Sequence, residues 1–209
     1  MTLEFAEVIS SEDQLREVIG SPAERNIQKV VSVLDDHCRT FIARSPFVLL
    51  ASSDQQGNID VSPKGDPAGF VKVLDDKTLV LPDRPGNRRA DSLTNILQDD
   101  RVGLLFLIPG KRETLRINGR AKIVRDTWVR QELAVQDKLP DLAVVVTVEE
   151  AFMHCAKSLI RSHLWEPESW PDLDGIASLA QVLVDHANLT CSVDEFQEII
   201  DHSYRNTLY

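Results

Sequence analysis

The stretch from residue 79 to residue 90 reads Leu79-Val80-Leu81-Pro82-Asp83-Arg84-Pro85-Gly86-Asn87-Arg88-Arg89-Ala90. Its apolar beginning predicts a buried strand, the Pro-Gly pair predicts a turn, and Asn87 is a favourable N-cap for a following helix. The positive end of that helix would then lie beside Arg88 and Arg89, an arrangement that suits a phosphate dianion. The alternative is that the two arginines only solvate the start of the helix.

The overall composition excludes several functional classes. With 209 residues, 43% of them hydrophobic, the chain can bury one core of ordinary size. Its formal net charge of −10 argues against general binding to nucleic acids or to anionic membranes, which both require a basic surface. The absence of a long apolar run and of a leader-like start favours a cytoplasmic protein.

Cysteine and histidine usage predicts neither disulfides nor a metal site. Three cysteines are widely spaced, as is usual for reduced thiols. The pairs His37-Cys38 and His154-Cys155 place adjacent side chains in different directions, and no further ligand follows at a usual spacing.

The periodicity of apolar residues divides the chain into three parts: a helical extension over residues 1–44, a strand-rich domain over 45–148 and a second helical extension over 149–209. Within the middle part, strands are predicted at 47–51, 59–62, 70–74, 79–81, 102–108, 115–123 and 142–148. The first four read as an antiparallel meander. Few helices interrupt these strands, which favours a mainly β fold with a closed or nearly closed barrel over a parallel sheet.

The two extensions carry helix signals of their own. Ser11 with Gln14, and Ser21-Pro22 with Glu24, predict two N-terminal helices, the second continuing to about residue 42. Thr147 with Glu150 predicts a helix that carries His154, Lys157 and Arg161 on one face. Two further helices are predicted near the end of the chain, and Ser192 with Glu195 is expected to cap the second.

A second polar segment reads Asp60-Val61-Ser62-Pro63-Lys64-Gly65-Asp66-Pro67. Taken alone it is typical of a charged turn. Together with Asn87-Arg88-Arg89 and the later strand 113–119, in this order, it resembles the flavin site of the FMN-binding split-barrel superfamily that includes pyridoxamine-phosphate oxidase. The resemblance covers residues 46–124, and the loop and arginine motifs are similar to those of a bacterial branch described as FMN-dependent enzymes.

This resemblance implies a fold, a cofactor and a set of binding residues. The implied fold is an FMN-binding split β-barrel with helical extensions at both ends. Residues matching Arg88 and Arg89 would hold the FMN phosphate, with Asn87 beside them in the cofactor site, and Pro82 and Asp83 would line the edge of the ring. Val61, Ser62, Pro63 and Lys64 would run along the flavin, and Thr114 would reach it from another strand.

The resemblance further implies a homodimer whose flavin site lies at the subunit interface. His154, Lys157, Arg161 and Trp165 are then candidates for contacts to the partner's flavin or to a substrate. The alternative for these four residues is a role in ion pairs within the chain.

The implied activity is hydride transfer between flavin and a small organic substrate or nicotinamide nucleotide, with no catalytic amino acid identified. Vitamin B6 oxidation itself is not favoured, because the chain lacks the Arg-x-His ending of that oxidase. Two alternatives remain open: a flavin-binding sensor or storage protein without turnover, and a split barrel that binds haem or a deazaflavin.

Overall fold

The computed structural model describes residues 3–209 of the chain. Its seven strands are β1 (Phe47–Ser53), β2 (Ile59–Gly65), β3 (Lys72–Val73), β4 (Thr78–Asp83), β5 (Arg101–Leu107), β6 (Thr114–Val124) and β7 (Leu142–His154). Its eight α-helices are α1 (Glu12–Ile19), α2 (Glu24–Gln28), α3 (Asp36–Arg44), α4 (Asp91–Gln98), α5 (Thr127–Glu132), α6 (Lys157–Arg161), α7 (Leu179–His186) and α8 (Val193–Asn206).

The strands form one antiparallel sheet in the order β2-β1-β5-β6-β7-β4-β3. This confirms the mainly β fold with helical extensions. The expected meander of the first four strands is wrong, because β2 and β3 lie at opposite ends of the sheet, although β1 pairs with β2 and β3 pairs with β4. No backbone ladder joins β2 to β3 within residues 3–209, so the barrel is split and not closed.

The larger core cluster lies on one face of this sheet. On β1 the side chains alternate, so that Val48 and Leu50 are buried while Leu49 and Ala51 face outward and stay half-buried. Val102, Leu104 and Phe106 of β5 repeat the same inward pattern. Helix α3 covers one end of this core with Cys38, Phe41 and Ile42.

The longest hairpin, β6 with β7, contains a register shift between Asn118 and Gly119. A Cβ on Gly119 would collide with the carbonyl oxygen of Thr147, so only glycine allows the two backbones to approach this closely. The bulge keeps Leu115 and Ile117 before it, and Ala121 after it, on the buried side.

The second N-terminal helix is shorter than its apolar pattern predicts. The pattern runs through residues 24–42, but the structure breaks it into α2 and α3. Asp35 caps α3 by accepting a 2.8 Å hydrogen bond from the backbone N–H of Cys38. Val31 pairs instead with Ala151 of β7, so part of the predicted helix becomes an addition to the sheet.

The helix predicted from Thr147 is wrong as well. Residues 149–154 continue β7 and pair with β6. The last pair of this ladder is Thr114 with His154. Strand pairing outweighs the Thr-x-x-Glu capping pattern here, because β6 and Val31 together satisfy the backbone on both sides of the segment.

Candidate functional site

A cavity of about 1070 Å³ opens between the edge strand β2 and the segment that follows β4. Its walls come from four parts of the chain: residues 60–64 of β2, residues 83–93, residues 138–141, and the α7–α8 region up to Tyr209. Two predicted binding segments, distant in sequence, therefore face the same space. The volume slightly exceeds the usual range for small-molecule sites, about 300 to 1,000 Å³.

The turn after β4 differs from its predicted form. Asn87 does not cap α4, which begins at Asp91 with Ala90 as its N-cap residue and no capping side chain. The Asn87 side chain instead accepts a 3.0 Å hydrogen bond from the backbone N–H of Arg89. The first N–H groups of α4 therefore lie at the cavity without a side-chain partner.

Arg88 and Arg89 both line the cavity, but their surroundings differ. Arg88 has a positive φ of 61° and forms no ion pair among the described residues. Arg89 donates to Asp91 at 2.9 Å, and this hydrogen bond raises the pKa of the guanidinium. Arg88 is thus the guanidinium with its donors uncommitted.

The strand predicted at residues 59–62 is longer in the structure, where β2 runs from Ile59 to Gly65 and includes Pro63 and Lys64 of the expected turn. This edge strand pairs only with β1, and Ser62, Pro63 and Lys64 all line the cavity. Pro63 is compatible with the strand because its other edge is unpaired.

Asp83 lies at the end of β4 beside this strand. Burial raises the pKa of the Asp83 carboxyl, the Lys64 ammonium lowers it, and the Asp141 carboxylate raises it further. Pro82 lies in an adjoining space of about 420 Å³ that is also lined by Ser62, Pro63 and Lys64.

A buried clamp joins the base of the cavity to the end of the described chain. The guanidinium of Arg84 donates to Asp66 at 2.6 Å and to the carbonyl oxygen of Leu133 at 2.8 Å. The hydroxyl of Tyr209 donates to the other oxygen of Asp66 at 2.6 Å, and Lys138 donates to the Tyr209 carbonyl at 3.1 Å. Sequence reasoning missed this clamp, because its members come from distant segments without a common motif.

The wall formed by α8 was also missed. Ile200, Tyr204 and Leu208 line the cavity at intervals of four residues. That spacing is visible in the sequence as one apolar stripe of a helix, but nothing local shows that the stripe faces a cavity.

Five other predicted residues lie elsewhere. Thr114 is on β6, which β1 and β5 separate from β2, and it does not line the cavity. His154 ends β7, while Lys157 and Arg161 lie on the short helix α6. The indole N–H of Trp165 donates to the Lys111 carbonyl at 2.8 Å. Within one chain these residues do not join Arg88.

Residues 3–209 contain no cluster of three or more potential metal ligands. No helix in the same range is long and apolar enough to cross a membrane.

Comparison with known proteins gives the fold and the site a family context. Residues 34–155, more than half of the chain, match the family described as Pyridoxamine 5'-phosphate oxidase. The chain belongs to this family. The matched range includes all seven strands, the two predicted binding segments and Thr114, whereas α7, α8 and Tyr209 lie outside it.

Three solved structures match the chain at low identity. HupZ of Group A Streptococcus is 17% identical, with a TM-score of 0.48, and the alignment covers 58% of this chain and 99% of that chain. A putative pyridoxamine 5'-phosphate oxidase of Lactobacillus delbrueckii is 23% identical over 58% and 95% of the two chains, with a TM-score of 0.47. An FMN-binding protein of Syntrophomonas wolfei is 11% identical, with a TM-score of 0.45, and the alignment covers 68% of this chain and 93% of that chain. No curated protein sequence matches the chain.

Proposed function

We propose that this member of the pyridoxamine 5'-phosphate oxidase family binds FMN and uses it in hydride transfer with a small organic substrate or a nicotinamide nucleotide. The observation that carries the proposal is the meeting of β2 residues 60–64 with Arg88 and Arg89 around one cavity. The family is named after an oxidase, which supports a role in oxidation and reduction.

The residues at the cavity fit the phosphate of FMN. Arg88 has no acidic partner within residues 3–209, and Arg89 can share its guanidinium between Asp91 and a phosphate. The uncapped N–H groups of α4 add neutral donors at the same end of the cavity. A dianionic phosphate would thus be met by charge and by backbone donors together.

The ring of the cofactor would extend from this end along β2. Val61, Ser62, Pro63 and Lys64 offer an edge of unpaired backbone and the Lys64 ammonium. Bound FMN would accept or deliver the hydride, so the protein has to bind, orient and shield it from water. The stripe Ile200, Tyr204 and Leu208 supplies an apolar wall that would exclude water.

The same proposal includes a homodimer with the site at its interface. Leu49, Ala51 and Leu105 form a half-buried row on the outward face of the sheet, which is unusually apolar for a free surface. A second copy of this chain would cover that row. It would also supply Thr114, His154, Lys157, Arg161 and Trp165, which cannot reach the cavity of their own chain. We place this dimer in the cytoplasm, on the basis of the sequence alone.

The decisive experiment is the absorption spectrum of protein purified from a bacterial host, followed by release and identification of the bound cofactor. We expect the spectrum of a flavin and the release of FMN. Bleaching by NADH or NADPH then distinguishes an oxidoreductase from a protein that only stores or senses flavin. A colourless protein that does not take up added FMN would refute the proposal, and a haem or deazaflavin spectrum would support the corresponding alternative.

A further inference from the structure

Three polar side chains of β2 share one side of the strand and line the cavity. Burial alternates along β2, so that Asp60, Ser62 and Lys64 are half-buried while the residues between them are exposed. The row therefore presents a carboxylate, a hydroxyl and an ammonium in turn. At about 3.4 Å per residue, it extends for about 14 Å along the edge of the sheet.

Asp60, the first member of this row, is held from behind by helix α4. The side-chain amide of Asn95 donates at 2.8 Å to Oδ2 of Asp60 and at 3.2 Å to the hydroxyl of Ser52. Ser52 is also the direct cross-strand partner of Asp60. Asn95 and Ser52 are 6% and 4% exposed, and neither is among the described residues that line the cavity. This buried network fixes the position of a carboxylate that itself faces the cavity.

The row connects the two ends of the proposed cofactor site. The hydrogen bond to Asp91 chiefly raises the pKa of Arg89, and the nearby charge of Asp60 raises it further. At the other end, burial raises the pKa of Asp83 and the Lys64 ammonium lowers it. Asp60 therefore lies at the phosphate end of the row and Lys64 at the end expected for the ring.

A carboxylate at the phosphate end needs a hydrogen-bond donor. Its negative charge would otherwise only repel a phosphate dianion. Asn95 occupies Oδ2 of Asp60, and no donor within residues 3–209 reaches Oδ1. An ionised carboxylate can only accept hydrogen bonds, so a ligand with hydroxyl groups fits this oxygen. In FMN, such hydroxyls lie on the ribityl chain between the ring and the phosphate.

We propose that Asp60 accepts a hydrogen bond from a ribityl hydroxyl of the cofactor and that Asn95 is the residue that positions Asp60 for this contact. The inference rests on the proposed binding of FMN and adds the recognition of its polyol chain. A ligand without hydroxyls would desolvate Asp60 without replacing its hydrogen bond to water. The site would then select a phosphorylated polyol against a phosphorylated alkyl chain.

The test compares FMN with an analogue in which an unsubstituted pentyl chain joins the same ring to the same phosphate. Fluorescence titration measures both affinities. The wild-type protein should bind FMN about ten- to a hundredfold more tightly than the analogue. In Asp60→Ala this preference should fall to about threefold or less. The loss of a negative charge near the phosphate affects both ligands alike, so the ratio of the affinities reports the hydroxyl contact.

Asn95→Ala and Gln55→Ala form a matched pair of variants. Each removes an amide contact between α4 and the β1–β2 hairpin, since Gln55 donates at 3.1 Å to the carbonyl of Gln98 at the far end of α4. Asn95→Ala should lower the preference for FMN about threefold or more, and Gln55→Ala should leave it unchanged. A merely structural role of Asn95 would weaken the binding of both flavins equally.

Asp60→Asn provides a variant of nearly unchanged shape in case Asp60→Ala does not fold. Its amide oxygen can still accept from Asn95, but the charge is lost, so the preference for FMN should fall severalfold. Equal affinities of the wild-type protein for the two flavins would overturn this inference and leave the binding of FMN in place. A preference that persists in Asp60→Asn and in Asn95→Ala would do the same. Failure of the wild-type protein to bind either flavin would instead refute the proposed function, and this inference with it.

Discussion

The hydroxyl of Tyr209 donates a 2.6 Å hydrogen bond to Asp66, 143 positions earlier in the chain. The same carboxylate accepts from Arg84, whose guanidinium lies 5.5 Å from the centre of the Tyr209 ring. The contact joins the segment after α8 to the residue that follows β2. It thereby holds one wall of the cavity against another.

Replacing Tyr209 with Phe should loosen this wall without unfolding the protein. We expect faster backbone hydrogen exchange over residues 203–209, with a loss of about 1 kcal/mol or less in the free energy of unfolding. Tyr204→Phe is the control, since the described structure shows no hydrogen bond from the Tyr204 hydroxyl. Equal exchange rates in the two variants would show that the bond does not hold the segment.

The same bond predicts a dependence on alkaline pH. The hydrogen bond to Asp66 is the main cause that raises the pKa of Tyr209 above its ordinary value. The hydrogen bond therefore stabilises the folded segment fully below a pH of about 10, and this stabilisation is lost as the pH rises through the pKa of Tyr209 in the folded protein. Hydrogen exchange of the segment in the wild-type protein should approach that of Tyr209→Phe above this range, after correction for intrinsic rates.

Asp66→Ala should destabilise the whole fold far more strongly than Tyr209→Phe does. The Asp66 side chain is 2% exposed and that of Arg84 15%, so the substitution leaves a largely buried guanidinium without its partner. We expect a loss of about 3 kcal/mol in urea denaturation. Asp76→Ala, which breaks the exposed pair with Arg39, should cost about 1 kcal/mol or less. Similar losses in both variants would contradict a special role for the buried pair.

The surroundings of the two cavity arginines predict different effects on FMN affinity. Arg88→Ala should weaken binding about ten- to a hundredfold, because a charge-assisted hydrogen bond to phosphate is lost. Asp91→Asn should strengthen binding, because it releases Arg89 and removes a negative charge near the phosphate. Flavin fluorescence titration measures both, with Arg125→Ala as the control. Unchanged affinity in Arg88→Ala would locate the phosphate elsewhere.

A charge on the outward face of the sheet should prevent the proposed dimer. Leu49→Glu places a carboxylate in the half-buried row beside Leu105 and Pro63, where a partner surface would have to desolvate it. Light scattering should show a dimer for the wild type and a monomer for this variant, with reduced FMN content. Thr147→Glu, at an exposed position of β7, should remain dimeric. A monomeric wild-type protein at micromolar concentration would refute the interface.

The cysteines should react at different rates. Burial in the core, with a hydrogen bond to Asp35, raises the pKa of the Cys38 thiol to about 11. At pH 8 almost no Cys38 thiolate exists, whereas Cys155 is exposed. A thiol reagent should modify Cys155 rapidly and Cys38 only upon unfolding. Rapid reaction of Cys38 in the native protein, detected by mass spectrometry of peptides, would contradict its burial.

Local chemistry in the sequence was sufficient for several elements. Ser192 and Glu195 form the reciprocal capping box expected from their spacing, and Ser11 caps α1 by accepting from Gln14. The alternation of buried and outward residues predicted for β1, β5 and β6 also holds, because alternation on one buried face is a property of neighbouring residues. The family motifs identified the two segments that meet at the cavity, although they left the binding roles of their residues as predictions.

Tertiary structure alone decided the rest. The patterns at Asn87 and Thr147 are sound capping signals, yet β7 extends to His154 because backbone partners from β6 and Val31 were available only after folding. The clamp of Asp66, Arg84 and Tyr209 and the hydrogen bond between Asn95 and Asp60 likewise unite residues that no local pattern relates. The sequence by itself determined the fold family and two of the segments that line the cavity. Contacts between distant residues decided which side chains complete it, since those contacts depend on packing and not on spacing along the chain.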